Sequence, residues 1–223
     1  MPDVTAPPPN SLIDDAGKRR LRLGVLISGS GTNLQAIIDA SAAGTLDADV
    51  AVVVSDKDAA YGLVRARNAG IPDVYLCRSS FEDITGYNRE LARILLEHEV
   101  GLVVMAGYMR LLGRRVLEAF PGRVMNIHPA LLPSFPGAAG VADAFAYGVK
   151  VTGVTVHFAD ESFDNGPIIA QEPVVIEETD DVESLEARIH EVEHRIYPRA
   201  IQLFAENRLV IEGRKVRILP RRS

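Results

Sequence analysis

The sequence predicts an α/β fold, in which a doubly wound, mostly parallel sheet carries helices on both faces and an antiparallel extension follows towards the C-terminus. Short apolar runs alternate with longer amphipathic stretches through the first half of the chain, which is the pattern of repeated strand–helix units. These runs are apolar at nearly every position, as in strands that are covered on both faces. Near the C-terminus, two short runs around Glu212 and Gly213 indicate a hairpin.

The elements of the first half follow from these patterns. We expect strands at residues 21–28, 48–55, 74–77, 100–105 and 122–127. Helices are predicted at 33–44, 59–70, 83–98 and 114–119, the first two ending at Gly44 and Gly70. One apolar stripe is predicted on the third helix, formed by Ile84, Tyr87, Leu91, Ile94 and Leu95.

The second half begins with a proline-rich loop at residues 128–140. A strand at 151–158 is followed by a polar loop at 159–167 and a strand at 168–176. A long helix is predicted at 181–204, before the hairpin. Residues 1–20 contain a proline run and early acidic residues, so we predict a flexible extension there and a single domain at 21–223.

Composition narrows the classes of function. The formal net charge is -6, which argues against a nucleic-acid-binding module because such modules are usually strongly basic. No apolar run approaches the roughly 20 residues that span a bilayer, so no membrane association is expected. Cys77 is the single cysteine, which excludes an intramolecular disulfide and favours a cytoplasmic location. We interpret Cys77 as a buried apolar residue.

Residues 28–33 read SGSGTN and join the first strand to the first helix. Glycines allow a close approach of the backbone, and the N–H groups at a helix start attract anions, so this segment is a candidate phosphate cradle. A plain strand-to-helix turn explains it equally well. The segment has neither the Lys-Ser/Thr pair of a P-loop nor the third glycine of a dinucleotide site, although Asp56 ends the next strand.

Asn126 and His128 end a predicted strand, just before Pro129. Residues two apart in a strand point to the same side, and ligands bind beyond the carboxyl ends of strands in doubly wound sheets. An amide and an imidazole placed there could stabilise an oxyanion and transfer a proton. The alternative is a structural histidine at a strand end.

The loop at 159–167 contributes three acids, Asp160, Glu161 and Asp164, and the spacing does not show which of them turns towards His128. His157 lies on a predicted strand and is interpreted as packed rather than catalytic. His190 and His194 are four apart on the late helix, which suits a metal, but a third ligand is not evident and no metal is predicted.

From about Arg22 to its end, the sequence resembles the phosphoribosylglycinamide formyltransferase family. The segments VLISGSGTNLQAIIDA, VVMAGYMRLL, VMNIHPALLPSFPG, DNGPIIAQ and EVEHRIYP carry the resemblance. The stretch NIHPALLP is less specific, since it is similar to all 10-formyltetrahydrofolate enzymes of this fold. The glycine segment with Asn33 and the late EHRIYP indicate the glycinamide ribonucleotide branch. A Rossmann-like formyltransferase fold is implied.

The resemblance implies transfer of the formyl group of 10-formyltetrahydrofolate to the amine of glycinamide ribonucleotide, in purine (IMP) biosynthesis, by a monomer or homodimer. It assigns catalysis to Asn126, His128 and Asp164. It assigns the substrate phosphate and ribose to Gly31, Thr32, Asn33, Glu193 and His190. It assigns the folate pocket to Met109, Arg110, Leu111, Leu112 and Asp160. In this scheme Asp164 orients His128 and favours its imidazolium form through the opposite charge.

Two positions depart from the family pattern. Relatives commonly have a histidine where this chain has Ala139, so we expect any contribution of that side chain to be missing here. Relatives often have Lys or Gln where this chain has His190. A histidine there predicts phosphate binding that depends on pH.

Four other functions were weighed. A formyltetrahydrofolate deformylase usually has a further N-terminal regulatory domain, and about twenty residues precede the first predicted strand here. Methionyl-tRNA formyltransferase needs a basic C-terminal RNA-binding domain. A non-catalytic folate- or nucleotide-binding protein is favoured by Ala139 but opposed by the set of Asn126, His128 and Asp164. A dinucleotide-dependent oxidoreductase is opposed by the missing third glycine.

Overall fold

The computed structural model of the chain describes residues 11–13, 19–162 and 164–221. Residues 1–10 and 14–18 of the predicted N-terminal extension lie outside the described residues. Within that extension, β1 (Ser11–Ile13) pairs antiparallel with the start of β2 (Arg19–Ile27), with Ser11 opposite Leu21. The division of the chain at residue 21 stays a prediction.

The described strands form one ten-stranded sheet that is parallel at its centre and mostly antiparallel beyond β6, where only the pair of β8 with β10 is parallel. The strands after β2 are β3 (Ala48–Ser55), β4 (Asp73–Tyr75), β5 (Leu102–Met105), β6 (Val124–His128), β7 (Val151–Phe158), β8 (Ile168–Val175), β9 (Leu209–Glu212) and β10 (Lys215–Ile218). Their order is β4-β3-β2-β5-β6-β7-β8-β10-β9, and β2 to β6 all run parallel. β7 is antiparallel to both β6 and β8. The predicted fold class is confirmed.

Helices cover both faces of the sheet. They are α1 (Thr32–Ala42), α2 (Tyr61–Asn68), α3 (Ile84–Glu97), α4 (Arg114–Ala119), α5 (Gly140–Tyr147) and α6 (Val182–Ala205). Along β2, Val25 and Ile27 join the apolar core that contains buried residues of α1, α2 and α6, whereas Leu26 joins the core that contains those of α3 and α4. This alternation follows from the two-residue period of a strand. Because both faces of β2 are covered by helices, residues 21–28 are apolar at nearly every position. None of the described helices is both long and apolar enough to cross a membrane.

Three sequence interpretations need correction. Ile84 is 46% exposed, because it lies in the first turn of α3, before the buried stripe that begins at Tyr87. No helix was predicted at α5, where Ala139 provides no side-chain cap. Cys77 is half-buried rather than buried, and its thiol contacts the Ser79 hydroxyl at 3.0 Å. Hydrogen bonding from Ser79, followed by that from Tyr75, lowers the pKa of Cys77 to about 6.

Tyr197 ties α6 to the centre of the sheet. Its side chain is fully buried, and its hydroxyl lies 3.0 Å from the carbonyl oxygen of Met105 and 2.9 Å from that of Met125. These carbonyls belong to the neighbouring strands β5 and β6. The phenol therefore fixes α6 against the two strands whose ends lead into the functional site.

We expect Tyr197→Phe to lower the free energy of unfolding by about 1–2 kcal/mol, because the buried ring stays but its hydrogen bond is lost. Urea denaturation followed by circular dichroism measures this change. The matched control is Tyr147→Phe, since Tyr147 is 79% exposed. An equal effect of the two substitutions would show that the hydroxyl of Tyr197 does not secure α6.

Candidate active site

A cavity of about 510 Å³ lies where the parallel strands β2, β5 and β6 end. Its walls come from the segment after β2, the segment after β5, the end of β6 and the loop between β7 and β8. This is the edge at which doubly wound sheets bind ligands, because helix N-termini and loops converge there. The cavity therefore brings together segments that the sequence analysis treated as separate candidates.

Asn126, His128 and Asp164 meet in this cavity. The Asn126 amide nitrogen lies 3.2 Å from Oδ1 of Asp164, and Nδ1 of His128 lies 3.4 Å from Oδ2 of Asp164. Asp164 also accepts a 2.8 Å hydrogen bond from the backbone N–H of Gly137. The predicted common orientation of Asn126 and His128 is thus confirmed. Of the three acids in the loop, Asp164 is the one that contacts His128.

His157 is a fourth polar member that the sequence analysis interpreted as a packing residue. It is buried, as expected, but it also lines the cavity. Antiparallel pairing of β6 with β7 sets His157 opposite Asn126, and its Nε2 lies 3.1 Å from the Asn126 amide nitrogen. Its Nδ1 faces the carbonyl oxygen of Phe158 at 2.9 Å, so Nδ1 carries the proton and Nε2 accepts from Asn126. Cross-strand pairing was the signal that could have identified it.

Burial sets the protonation of His128. It lowers the pKa of His128, and this effect outweighs the opposing contributions of the Asp164 carboxylate and the Phe135 carbonyl. The Asp164 carboxylate does favour the imidazolium form of His128, as expected, but burial has the larger effect on the His128 pKa. Burial raises the pKa of Asp164, but the hydrogen bond from the Gly137 N–H to its carboxylate opposes this effect, and the pKa of Asp164 lies below its usual value.

The glycine segment lies against α6 at the cavity wall. Gly31 precedes α1 with φ 70°, and a Cβ there would lie 2.7 Å from the Cα of Gly62, so only glycine fits. The Asn33 amide donates to Oε2 of Glu193 at 2.8 Å. Within the described residues, the Asn33 Oδ1 atom is buried and without a hydrogen-bond partner. Burial raises the pKa of Glu193.

The segment after β5 presents apolar side chains to solvent. Met109 is 65% exposed and Leu111 is 40% exposed, and both line the cavity, whereas Leu112 is buried. Exposed apolar side chains beside a cavity are typical of a ligand-binding wall. Arg110, which also lines the cavity, is held by an ion pair with Asp56.

The remaining predicted residues also line the cavity. These are Thr32, Asp160 and His190. Nε2 of His190 lies 4.0 Å from a carboxylate oxygen of Glu186 and 4.0 Å from one of Glu193. Ala139 lines the cavity too, immediately before α5. Across the described residues, no group of three or more His, Cys, Asp or Glu side chains is arranged to hold a metal ion.

Known proteins are similar to this chain in fold and in sequence. The formyl transferase family matches residues 21–201. The chain is 43% identical over 181 residues to the phosphoribosylglycinamide formyltransferase of Bacillus subtilis (strain 168), covering 81% of this chain and 93% of that protein. Glycinamide ribonucleotide transformylase 1 from Symbiobacterium toebii has a similar crystal structure, with a TM-score of 0.89 and 53% identity over 90% of this chain and 95% of that one. A formyltetrahydrofolate deformylase from Pseudomonas syringae pv. tomato str. DC3000 has a TM-score of 0.83 and 26% identity over 90% of this chain and 66% of that one.

The chain therefore belongs to the formyl transferase family. Within that family, the predicted resemblance to phosphoribosylglycinamide formyltransferases is confirmed. The deformylase shares the fold at a lower identity.

We expect the pKa of His128 to lie below its ordinary value and to fall further in Asp164→Asn. The negative charge of Asp164 raises the pKa of His128, and this substitution removes that charge. Titration of ¹⁵N-labelled histidine by NMR measures both values. Glu161→Gln is the matched control, since Glu161 is an exposed carboxylate of the same loop. A His128 pKa that rises in Asp164→Asn would contradict the assigned contact.

Proposed function

We propose that this chain transfers the formyl group of 10-formyltetrahydrofolate to the amine of glycinamide ribonucleotide, a step of de novo purine synthesis. The observation that carries this proposal is the meeting of Asn126, His128 and Asp164 in a cavity that also contains the glycine segment and the exposed apolar wall. The similarity to phosphoribosylglycinamide formyltransferases supports the same reaction.

The two substrates have chemically different subsites in this proposal. The ribonucleotide phosphate binds at the start of α1, where the backbone N–H groups of Thr32 and Asn33 have no partner inside the helix. The Glu193 carboxylate accepts hydrogen bonds from the ribose hydroxyls, beside the unpartnered Oδ1 of Asn33. The folate packs against Met109 and Leu111, whose exposed apolar surface it removes from water.

The amine nitrogen attacks the formyl carbon, and the carbonyl oxygen becomes an oxyanion. Asn126 stabilises that oxyanion by hydrogen bonding, which is more effective in a buried site than in water. Both N–H groups of the resting Asn126 amide are already directed to acceptors, namely Asp164 and His157. One of these bonds must be exchanged for the oxyanion, so the Asn126 amide reorients as the substrate binds.

His128 moves the proton. Because the lowered pKa leaves His128 neutral at pH 7, its imidazole first accepts a proton from the attacking amine. The resulting imidazolium is stabilised by the Asp164 carboxylate and donates the proton to the folate nitrogen. The bond between the formyl carbon and that nitrogen then breaks. One C–N bond has formed and one has broken, and one proton has passed from the amine to tetrahydrofolate.

We expect His128→Asn to lower kcat by about 10²–10⁴-fold and Asn126→Ala to lower it by about 10²–10³-fold. Tetrahydrofolate release, followed by absorbance with and without glycinamide ribonucleotide, measures the reaction. His98→Asn, outside the cavity lining, is the matched control.

The assay also separates the rival functions. Folate release that does not need the amine would identify a deformylase, and folate binding without release would identify a binding protein. Either result with the parent chain would overturn the proposed transfer.

A further inference from the structure

Asp56 is a buried carboxylate that the proposed reaction does not use. It follows β3 directly, is 5% exposed, and does not line the cavity. Its two oxygens accept hydrogen bonds from different segments: Oδ1 from the Ser28 hydroxyl at 2.6 Å and Oδ2 from the Arg110 Nε–H at 2.6 Å. Asp56 therefore lies between the glycine segment and the apolar wall.

The connection continues through Ser28. The Ser28 hydroxyl has one proton, which it donates to Asp56, and it accepts a 3.0 Å hydrogen bond from the backbone N–H of Met109. Ser28, Met109 and Arg110 all line the cavity. The Met109 N–H, the Ser28 hydroxyl, the Asp56 carboxylate and the Arg110 guanidinium form one series of hydrogen bonds. This series joins the ends of β2 and β3 to the segment after β5.

Breaking this series of hydrogen bonds would cost considerable free energy. A buried carboxylate is costly unless it is paired, and short charge-assisted hydrogen bonds are among the strongest in proteins. The Asp56 backbone is also held, because the neighbouring Ser55 hydroxyl donates to the Lys57 carbonyl at 2.8 Å and accepts from the Lys57 N–H at 3.0 Å. Movement of either cavity wall away from Asp56 would thus leave its buried carboxylate without a hydrogen-bond partner on that side.

We propose that Asp56 is a positioning residue that couples the nucleotide subsite to the folate subsite through Ser28 and Arg110. The coupling of two substrates rests on the proposed function, whereas the mechanical connection of the two segments does not. A perturbation on one side of Asp56 reaches the other side, although neither substrate contacts Asp56.

The test is a crossed measurement of affinity. Arg110→Met breaks the folate side of the series and is expected to weaken binding of glycinamide ribonucleotide by about 5-fold, within the usual range of coupling between sites. Ser28→Ala breaks the nucleotide side and is expected to weaken binding of tetrahydrofolate by a similar factor. Asp56→Asn keeps the shape of the side chain but removes its charge, and it is expected to produce both effects. Calorimetry of each variant with each ligand gives the dissociation constants.

Hydrogen exchange of the unliganded proteins tests the connection without any substrate. Arg110→Met is expected to speed amide exchange in residues 29–33 by about 5-fold, since local opening there loses a stabilising partner. Arg114→Met is the matched control, because Arg114 also pairs with a carboxylate, that of Glu118, but lies outside the cavity lining. A merely structural effect would speed exchange throughout the protein and lower its thermal midpoint, rather than act on residues 29–33.

The outcomes separate the two proposals. Unchanged exchange at residues 29–33 in Arg110→Met, or unchanged affinity for the ligand on the far side of Asp56, overturns the role of Asp56. If the parent chain lacks formyl transfer but the exchange effect is present, the proposed function fails and the connection through Asp56 stands.

Discussion

The antiparallel pairing of β6 with β7 is the constraint on which the site depends. β2 to β6 are parallel, so their C-terminal ends lie at one edge, and β7 runs in the opposite direction beside β6. The register sets Met125 opposite Phe158 and Asn126 opposite His157. β7 therefore ends beside the start of β6, where the Ala159 N–H donates to the Val124 carbonyl, and the loop that follows turns back so that Asp164 contacts Asn126 and His128.

The antiparallel pairing of β7 with β8 fixes how the loop between them closes. The backbone N–H of Phe158 donates to the carbonyl of Pro167 at 2.9 Å, which joins the two ends of the loop. A Cβ at Gly166 would lie 1.7 Å from the Phe158 carbonyl oxygen, so only glycine allows this closure. Asp164 then adopts a φ of 50°, a conformation that aspartate tolerates better than most residues. Loop closure and carboxylate position are therefore one structural feature.

Much of this arrangement was predictable because strand and helix periods depend on local sequence. The strands predicted at 48–55 and 151–158 coincide with β3 and β7, and the two-residue period correctly set Asn126 beside His128. Non-local contacts were not predictable in the same way. Residue types alone could not choose among Asp160, Glu161 and Asp164, because loop closure decides which carboxylate turns inward. Only the resemblance to a known family identified Asp164.

Other features could not be predicted for the same reason. His157 was interpreted as packing because its neighbour Asn126 lies 31 positions away in the sequence, and only the β6–β7 register joins them. The desolvation of His128 could not be judged from the sequence, because burial is a property of the whole cavity, whereas the charge of Asp164 was evident from the residue type. Cys77 was judged by residue type, but its exposure and its contact with Ser79 depend on the end of β4.

The segment before α5 shows why Ala139 is compatible with an intact site. Nε2 of His128 lies 2.7 Å from the Phe135 carbonyl, and a Cβ at Gly140 would approach that nitrogen to 3.1 Å and that carbonyl to 3.2 Å. The backbone of this segment therefore packs directly on the imidazole, and the Gly137 N–H binds Asp164. Orientation of His128 and Asp164 comes from these main-chain groups, which any residue at position 139 leaves in place. His128 and Asp164 are therefore held in place without a side chain larger than a methyl group at position 139.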